Sequence, residues 1–177
     1  MFETVKNAFK IKDIRHRIIF TFLMLIVIRI GSQLPIPGVD QNVFAQWFAN
    51  QNSDAFSFFD AVTGGSFLQM SVFALNITPY ITSSIIMQLL TIAIPKLEEM
   101  QRDGEDGRKK IAEITRYLTI ALALIESIAM AVGFGKNGYL TKFDAMNVIM
   151  VVVTLTAGSA VLMWIGERIT EKGVGNG

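Results

Sequence analysis

The amino-acid sequence predicts an all-α polytopic membrane protein with four transmembrane helices and one re-entrant segment. Three observations support this fold class. Of the 177 residues 51% are hydrophobic, and the mean hydropathy is +0.45. Only 18% of the residues are charged, and they cluster between long apolar runs. One apolar run, residues 63–95, is broken by the sequence Asn-Ile-Thr-Pro at residues 76–79, which a simple membrane span does not need.

The broken run divides into a re-entrant part, residues 64–75, and a spanning helix, residues 77–94. Irregular backbone at membrane depth is tolerated only inside protein or beside a water-filled cavity. The pair Gly64-Gly65 with Ser66 predicts a mobile, weakly anchored start of the re-entrant part. The run therefore predicts a pore or a binding site.

The residues before this run form a basic flank, a span and an outer loop. Residues 1–17 carry five Lys or Arg residues and predict an amphipathic surface helix or a solvated flank. Residues 18–34 form the first span, in which Arg29 is expected to reach the lipid headgroups. Residues 35–62 form an extracytoplasmic loop with a short surface helix. Its aromatic side chains, expected at the membrane interface, are Phe44, Trp47, Phe48, Phe56, Phe58 and Phe59.

The residues after this run form two further spans. Residues 96–116 form a charged cytoplasmic loop with a glycine-punctuated turn, and residues 117–135 form the third span. Residues 136–145 form an outer loop, residues 146–166 the fourth span and residues 167–177 a cytoplasmic tail. The fourth span contains a small-residue patch that allows close helix packing, namely Ala157, Gly158, Ser159 and Ala160.

The distribution of Lys and Arg supports this topology. With a cytoplasmic amino terminus, five lie before the first span, six in the loop 96–116 and two in the tail, against two in the outer loops. This is a strong positive-inside bias. It holds only if residues 64–75 enter and leave on the outer side, so it supports the re-entrant interpretation and places both termini in the cytoplasm.

The sequence lacks the patterns of enzyme chemistry. There is one histidine, His16, and there is no cysteine, so we expect no metal centre, disulfide or cofactor. Nucleic-acid binding by the loop 96–116 is disfavoured because acidic residues interrupt its basic ones and it contains no aromatic residue.

Glu126 is the only acidic residue deep in a predicted span. It predicts either a polar position on an ion or proton path or an interhelical hydrogen bond, with Ser127 or with a partner in a missing helix. The hydrogen bond is favoured, because no second ionisable group lies nearby in the spans.

Ile77 and Ile81 are four residues apart, so they share one helix face near mid-membrane. Two interpretations fit this spacing: half of a narrow hydrophobic constriction, or ordinary aliphatic packing. By spacing alone the second is favoured, but the polar neighbours Asn76 and Thr78 point toward an aqueous or protein-lined site.

Four sequence blocks resemble the amino-terminal half of the bacterial SecY family, whose members are central subunits of a protein-conducting channel. The blocks are RIGSQLPIPGVD at 29–40, SVFALNITPYITSSIIMQLL at 71–90, DGEDGRKKIAEITRY at 103–117 and LMWIGERITEKGVGNG at 162–177. They follow the family's order. The resemblance implies half of a pseudo-symmetric channel, with a fifth span expected after residue 177.

The resemblance also implies roles for individual residues. Ile77 and Ile81 would belong to a hydrophobic pore ring, and the helix 77–94 would be one wall of a lateral gate. The plug that seals the resting pore would consist of Thr63, Gly64, Gly65, Ser66, Phe67, Leu68, Gln69 and Met70. The gate positions would be Thr78, Pro79, Ser83, Ser84, Met87 and Gln88. The intramembrane polar positions are Arg29, Asn76, where many relatives have glycine, and Glu126, where an uncharged polar residue is usual.

By this resemblance, the complete protein would conduct unfolded secretory polypeptides passively across the bacterial plasma membrane and release membrane segments laterally into it. Its implied partners are SecE, SecG, the SecA ATPase, the ribosome, signal peptides, nascent chains, the lipid bilayer and the missing carboxy-terminal half. A solute or ion transporter half built on inverted repeats is an alternative that explains the broken helix and Glu126 equally well. A non-conducting fragment is a third possibility.

Overall fold

The computed structural model describes residues 11–50, 58, 61 and 64–175. The helices within these residues are α1 (Lys12–Gly31), α2 (Gln41–Asn50), α3 (Thr78–Ala93), α4 (Pro95–Arg102), α5 (Glu105–Lys136) and α6 (Ala145–Lys172). The described residues contain no extended strand, only the isolated bridges Pro35–Ser71 and Val39–Leu140. The predicted all-helical architecture is therefore confirmed. The predictions for residues 1–10, Thr63 and the side chains of Trp47, Phe48, Phe56 and Phe59 lie outside the described residues.

Four membrane spans were predicted, and length and composition identify two or three candidates among the described residues. Among the described residues, α5 and α6 are long and apolar enough to cross a membrane. A third candidate is α3 with α4, which meet at a bend of 102°. Every stretch of 18 residues in α1 contains three arginines, Arg15, Arg17 and Arg29, which lowers its apolar content. The count of four spans stays a prediction.

The predicted cytoplasmic loop 96–116 is largely helical. It holds most of α4 and the first turns of α5, and Gly104, with φ +78°, forms the turn between them. Charged residues do not end a helix when their side chains reach water, whereas proline and glycine do. The acidic residues Glu105 and Asp106 in the first turn of α5 also interact favourably with the helix dipole.

The long helices form an open arc. Helix α6 packs against α5 and α1, and α3 packs mainly against α5. The bundle has two ends along the helix axes. At one of them Arg17 Nη1 donates to the Gly173 carbonyl oxygen over 3.3 Å. At the other the Thr141 backbone N–H donates to the Gly38 carbonyl oxygen over 3.1 Å. The end that holds Arg17 is called the inner end below, and the end that holds Gly38 the outer end.

Small and hydroxyl-bearing residues fill the helix interfaces. Each buried hydroxyl in this set donates to the backbone carbonyl four residues earlier, so its polar group is satisfied without a partner on the next helix. On α3 these donors are Ser83 and Thr91, and on α5 they are Thr115, Thr119 and Ser127. Helices can therefore approach closely in an apolar environment.

The outer end contains the main hydrophobic core. Phe44 of α2 lies at its centre, 1% exposed, with ring centroids 5.6 Å from Phe67, 6.0 Å from Phe134 and 5.7 Å from Tyr139. The outer loop folds over the helix ends and buries the Phe44 ring in protein, and the depth of this ring relative to the membrane interface stays a prediction. The buried cluster comprises Ile36, Phe44, Met70, Ala74, Leu75, Ala131, Phe134, Tyr139, Leu140, Val151, Val152 and Leu155.

Candidate functional site

Residues 64–77 form a non-helical segment of successive turns between the outer loop and α3. Four of its residues have positive φ: Gly64 at +66°, Gly65 at +85°, Met70 at +49° and Asn76 at +53°. Glycine and asparagine are the residues that adopt this left-handed region at least cost. Asn76 is therefore compatible with this left-handed turn.

The described residues of the predicted plug, 64–70, are held by several contacts. Gln41 Nε2 donates to the Gln69 carbonyl oxygen over 2.9 Å, and the Phe67 ring packs edge-on against Phe44. Met70 is fully buried in the outer core, and Ser66 is 3% exposed. The expectation of a weakly anchored start is wrong, because Ser66 is buried and the neighbouring Gly64 is bound by an arginine. The mobility of this segment stays a prediction.

That arginine is Arg29, at the outer end of α1. Its Nη1 donates a hydrogen bond to the Gly64 carbonyl oxygen. A Cβ on Gly64 would lie 2.6 Å from the same nitrogen, so a side chain at this position would displace the guanidinium. We expected Arg29 to reach lipid headgroups, whereas the structure joins it to Gly64, at the start of the predicted plug.

The small-residue patch of α6 receives the re-entrant segment. A Cβ on Gly158 would clash with the Val72 carbonyl oxygen, and Ser159 Oγ donates to the Asn76 carbonyl oxygen over 3.3 Å. The sequence predicted close packing at this patch but did not identify its partner. The partner is the backbone of the re-entrant segment rather than another helix.

A cavity of about 910 Å³ lies inside the arc, between α1 and α3. Ile77 and Ile81 line it, with 38% and 49% of their surfaces exposed, directly below the re-entrant segment. Leu25 and Ile28 of α1 line the same cavity. The structure thus places the two predicted ring residues on the surface of one cavity, which both apolar and polar side chains line.

The predicted gate positions lie on different faces of α3. Ser84 and Gln88 line the cavity together with Asn76 at its upper end. Thr78 is exposed. Pro79, Ser83 and Met87 are instead buried in the helix packing, so these three side chains support the position of α3 rather than its open surface.

An ion pair that sequence reasoning did not single out closes the inner end of the cavity wall. Arg116 Nε on α5 lies 2.6 Å from Glu167 Oε1 on α6. Both residues line the large cavity, and Glu167 also lines a second cavity of about 460 Å³ beside α3 and α4. The sequence places opposite charges at the inner ends of the third and fourth predicted spans. This placement does not by itself specify an ion pair.

Glu126 does not pair with Ser127. Ser127 is fully buried, donates to the Ala123 carbonyl oxygen and accepts a 3.1 Å hydrogen bond from Thr156 Oγ1 of α6. Within the residues that the structure describes, Glu126 forms no hydrogen bond or ion pair. The same part of the chain contains no group of three His, Cys, Asp or Glu residues placed to hold a metal ion.

Comparisons with known proteins identify relatives along the whole chain. A model of the SecY family matches residues 71–177. The protein translocase subunits SecY of Halalkalibacterium halodurans and Bacillus subtilis are 46% and 44% identical over 180 and 181 residues, and each alignment covers 100% of this chain. That of Thermotoga maritima is 43% identical over 186 residues. The chain spans 41% to 43% of the length of these relatives.

A solved structure shows the same fold. Sec61 in the canine ribosome-channel complex from the endoplasmic reticulum superposes with a TM-score of 0.64 at 19% identity, over 92% of this chain and 34% of that chain. The sequence matches confirm the resemblance to the amino-terminal half of SecY. The chain, which is a membrane protein, belongs to the SecY family of protein translocase subunits.

Proposed function

We propose that this chain forms one wall and the outer seal of a channel through which unfolded polypeptides cross the membrane. Family membership and the cavity support this function. The cavity is lined by α1 and α3 and reaches Asn76 and Ile77, where the re-entrant segment joins α3. A channel half with a closed outer end would hold a cavity at this place.

The placement of Ile77 and Ile81 carries the proposal. Both line the cavity, and the segment that precedes them contributes the buried residues Met70, Ala74 and Leu75 to the outer core. A narrow apolar constriction excludes ions by dewetting, and it offers a passing chain no hydrogen bond or charge that would hold it. The pair therefore suits conduction of polypeptides of many sequences, and we assign no catalytic role to any residue.

The open side of the arc requires the carboxy-terminal half of the channel. Large apolar side chains remain exposed on α1 and α3, and they include Phe22, Leu25, Ile26, Ile81, Ile85, Leu89 and Ile92. Apolar surface of this extent fits lipid and a second helical half. The cavity-lining positions Ser84 and Gln88 would form one edge of the lateral gate, through which membrane segments leave.

The inner end would face the cytoplasm of a bacterial cell, because Lys and Arg residues concentrate there. Both ends of this chain would lie on that side of the plasma membrane. SecE and SecG would complete the channel, and SecA or the ribosome would deliver signal-bearing chains. Conduction would be passive.

Site-specific crosslinking tests this function in the complete channel that contains this chain. A photoreactive residue replaces Ile81, and a secretory chain is arrested during translocation into vesicles. We expect a crosslink at position 81. Ile125 on α5 is the matched control, because it is 62% exposed and lines neither cavity.

Two results would contradict the proposal. An arrested chain that crosslinks to position 125 but not to position 81 would place the path outside the cavity. Vesicles that take up a small solute but no polypeptide would instead support a transporter half.

A further inference from the structure

An ion pair joins α5 and α6 beside the inner part of the cavity, which Thr21, Ala112 and Val174 line. We infer that Arg116 and Glu167 are positioning residues that hold the inner ends of these two helices together and thereby set the distance between α1 and α3 across the cavity. The inference rests on the proposed function and deepens it, because this distance decides the width of the path that an entering chain would find.

The distance across the cavity depends on how α5 and α6 are joined. Helix α3 packs mainly against α5, and α1 packs against α6. Within the described residues, α1 and α3 share no comparable contact, although they form opposite sides of the cavity. A tilt between α5 and α6 is therefore passed on to the cavity, because α3 moves with α5 and α1 stays with α6.

Two polar contacts between α5 and α6 lie on one line along the helix axes. Thr156 Oγ1 donates to Ser127 Oγ over 3.1 Å, and Arg116 Nε donates to Glu167 Oε1 over 2.6 Å. On each helix the two contacts are eleven residues apart, which is about three turns and about 16 Å. The two helices are therefore antiparallel and keep the same register from one contact to the other.

The contact at Ser127 lies among packed side chains, whereas the ion pair does not. Ser127 and the neighbouring Ala123 are at most 1% exposed. Beside the ion pair, the small residues Ala112 and Gly166 line the cavity. Small residues leave few apolar contacts at this level, so the ion pair adds a directed contact that packing does not supply there.

A weak contact at this place has a large geometric effect. A partly exposed ion pair contributes little to stability, so its loss would leave the packed part of α5 and α6 intact. That part would then act as a pivot. A tilt of about 10° about the Ser127 contact shifts the inner ends by about 3 Å over a lever of about 16 Å.

The charges around the pair predict which partner has the larger effect. Glu113 of α5 and Glu171 of α6 also act on the charge of Arg116, and Glu171 pairs with Arg168 as well. Loss of Arg116 would leave carboxylates on both helices to repel each other. Loss of the Glu167 charge would leave Arg116 attracted by Glu171. Arg116→Gln should therefore separate the two helices more than Glu167→Gln.

Distance measurements in the resting complete channel test the inference. This chain has no cysteine, so Leu25→Cys on α1 and Ile85→Cys on α3 place one spin label on each side of the cavity. Both residues line the cavity and are 50% and 52% exposed, so each position has room for a label. The distance between the labels is measured by pulsed electron paramagnetic resonance, in a channel without other cysteines and without substrate.

Arg116→Gln is expected to lengthen the mean distance between the labels by about 3 Å, and Glu167→Gln to lengthen it by less. Exchange of the two charges, Arg116→Glu with Glu167→Arg, should restore the original distance. Arg168→Gln is the matched control, because its partner Glu171 lies on the same helix. This variant should leave the distance unchanged.

Three results would overturn the inference: an unchanged distance in both Arg116→Gln and Glu167→Gln, an equal shift in Arg168→Gln, or a shift that persists after the charges are exchanged. A purely structural role would lower the amount of assembled channel and leave the distance within each assembled channel unchanged. The distances are measured without translocation. A complete channel that moves no polypeptide would therefore overturn the proposed function and leave the positioning result standing.

Thiol labelling tests whether the distance sets the width of the path. Ile81→Cys lies on the cavity surface and is combined with Arg116→Gln or with the control Arg168→Gln. We expect the thiol to react several-fold faster with a bulky reagent applied from the inner side when Arg116 is replaced. Equal rates in the two combinations would overturn the link between the ion pair and the path of an entering chain.

Discussion

The two ends of this molecule bury their apolar residues in opposite ways. At the outer end the aromatic rings and the re-entrant segment pack on one another, with Phe44 and Met70 almost fully buried. Between this core and the inner end, Ile77 and Ile81 line a cavity, and large apolar side chains of α1 are exposed. The outer end thus forms a buried core among the described residues, whereas the helices below it leave apolar surface uncovered.

Under the proposed function, this difference would divide the tasks of a half-channel. A seal would have to be stable by itself, which fits a core built from one chain. A conduit would have to present an apolar surface that does not close on itself, which fits side chains that form no core. Similar apolar composition therefore serves two purposes, and packing rather than hydropathy distinguishes them.

Among these predictions, truncation of the central aromatic residue of the outer core should have the largest effect on stability. Phe44→Ala is expected to lower the free energy of unfolding by about 3–5 kcal/mol, because it leaves a cavity among three aromatic rings. Thermal or denaturant unfolding of the complete channel measures the effect. Phe22→Ala on α1 is the control, because this ring is 61% exposed, and its cost should stay below about 0.5 kcal/mol. Equal effects would mean that the outer core adds no particular stability.

The left-handed turn at the lower edge of the seal provides the next test. Asn76→Ala should destabilise the channel by about 1–2 kcal/mol, because alanine is strained at a φ of +53°. Asn76→Gly should be nearly neutral, since glycine adopts this conformation freely. The same unfolding measurement compares the two variants. A destabilised glycine variant would show that the Asn76 side chain, rather than its backbone conformation, matters.

The ion pair at the inner end should contribute less. A double-mutant cycle of Arg116→Gln and Glu167→Gln is expected to give a coupling energy of about 1 kcal/mol, because the side chains are 48% and 22% exposed. The pair Arg168–Glu171 is the control. Its side chains are 39% and 55% exposed, and it should couple by about 0.3 kcal/mol. A larger coupling in the control pair would contradict the role of burial at the cavity wall.

The cavity wall should show the smallest effect on stability. Ile81→Ala is expected to change the free energy of unfolding by less than about 1 kcal/mol, because its side chain is already half exposed. The resting ion leak should nevertheless rise. Leu89→Ala on the same helix is the control, since Leu89 is 62% exposed and lines neither cavity. Equal ion leak in both variants would mean that Ile81 does not help to exclude ions.

The sequence predicted much of the fold because local signals determine it. Apolar runs located the helices, and the break at residues 76–79 located the start of α3. The first turns of α5 lie within the predicted cytoplasmic loop 96–116. Charged residues there indicate exposure to water but do not mark the end of a helix.

The contacts that build the seal were not predictable in the same way. The Phe44 cluster, the bond between Arg29 and Gly64, and the approach of Val72 to Gly158 each join segments far apart in sequence. Helical periodicity defines a face but does not name its partner. Only the small-residue patch predicted a close approach, and the partner that it predicted was another helix.

The difference between a closed outer end and an open inner end is tested most directly by thiol labelling of the resting complete channel. Ile81→Cys and Ala74→Cys are made separately and treated with a membrane-impermeant thiol reagent from each side. We expect Ile81→Cys to react from the cytoplasmic side alone, and Ala74→Cys, at a position that is 1% exposed, to react from neither side. Rapid reaction of Ile81→Cys from the outer side would contradict the account.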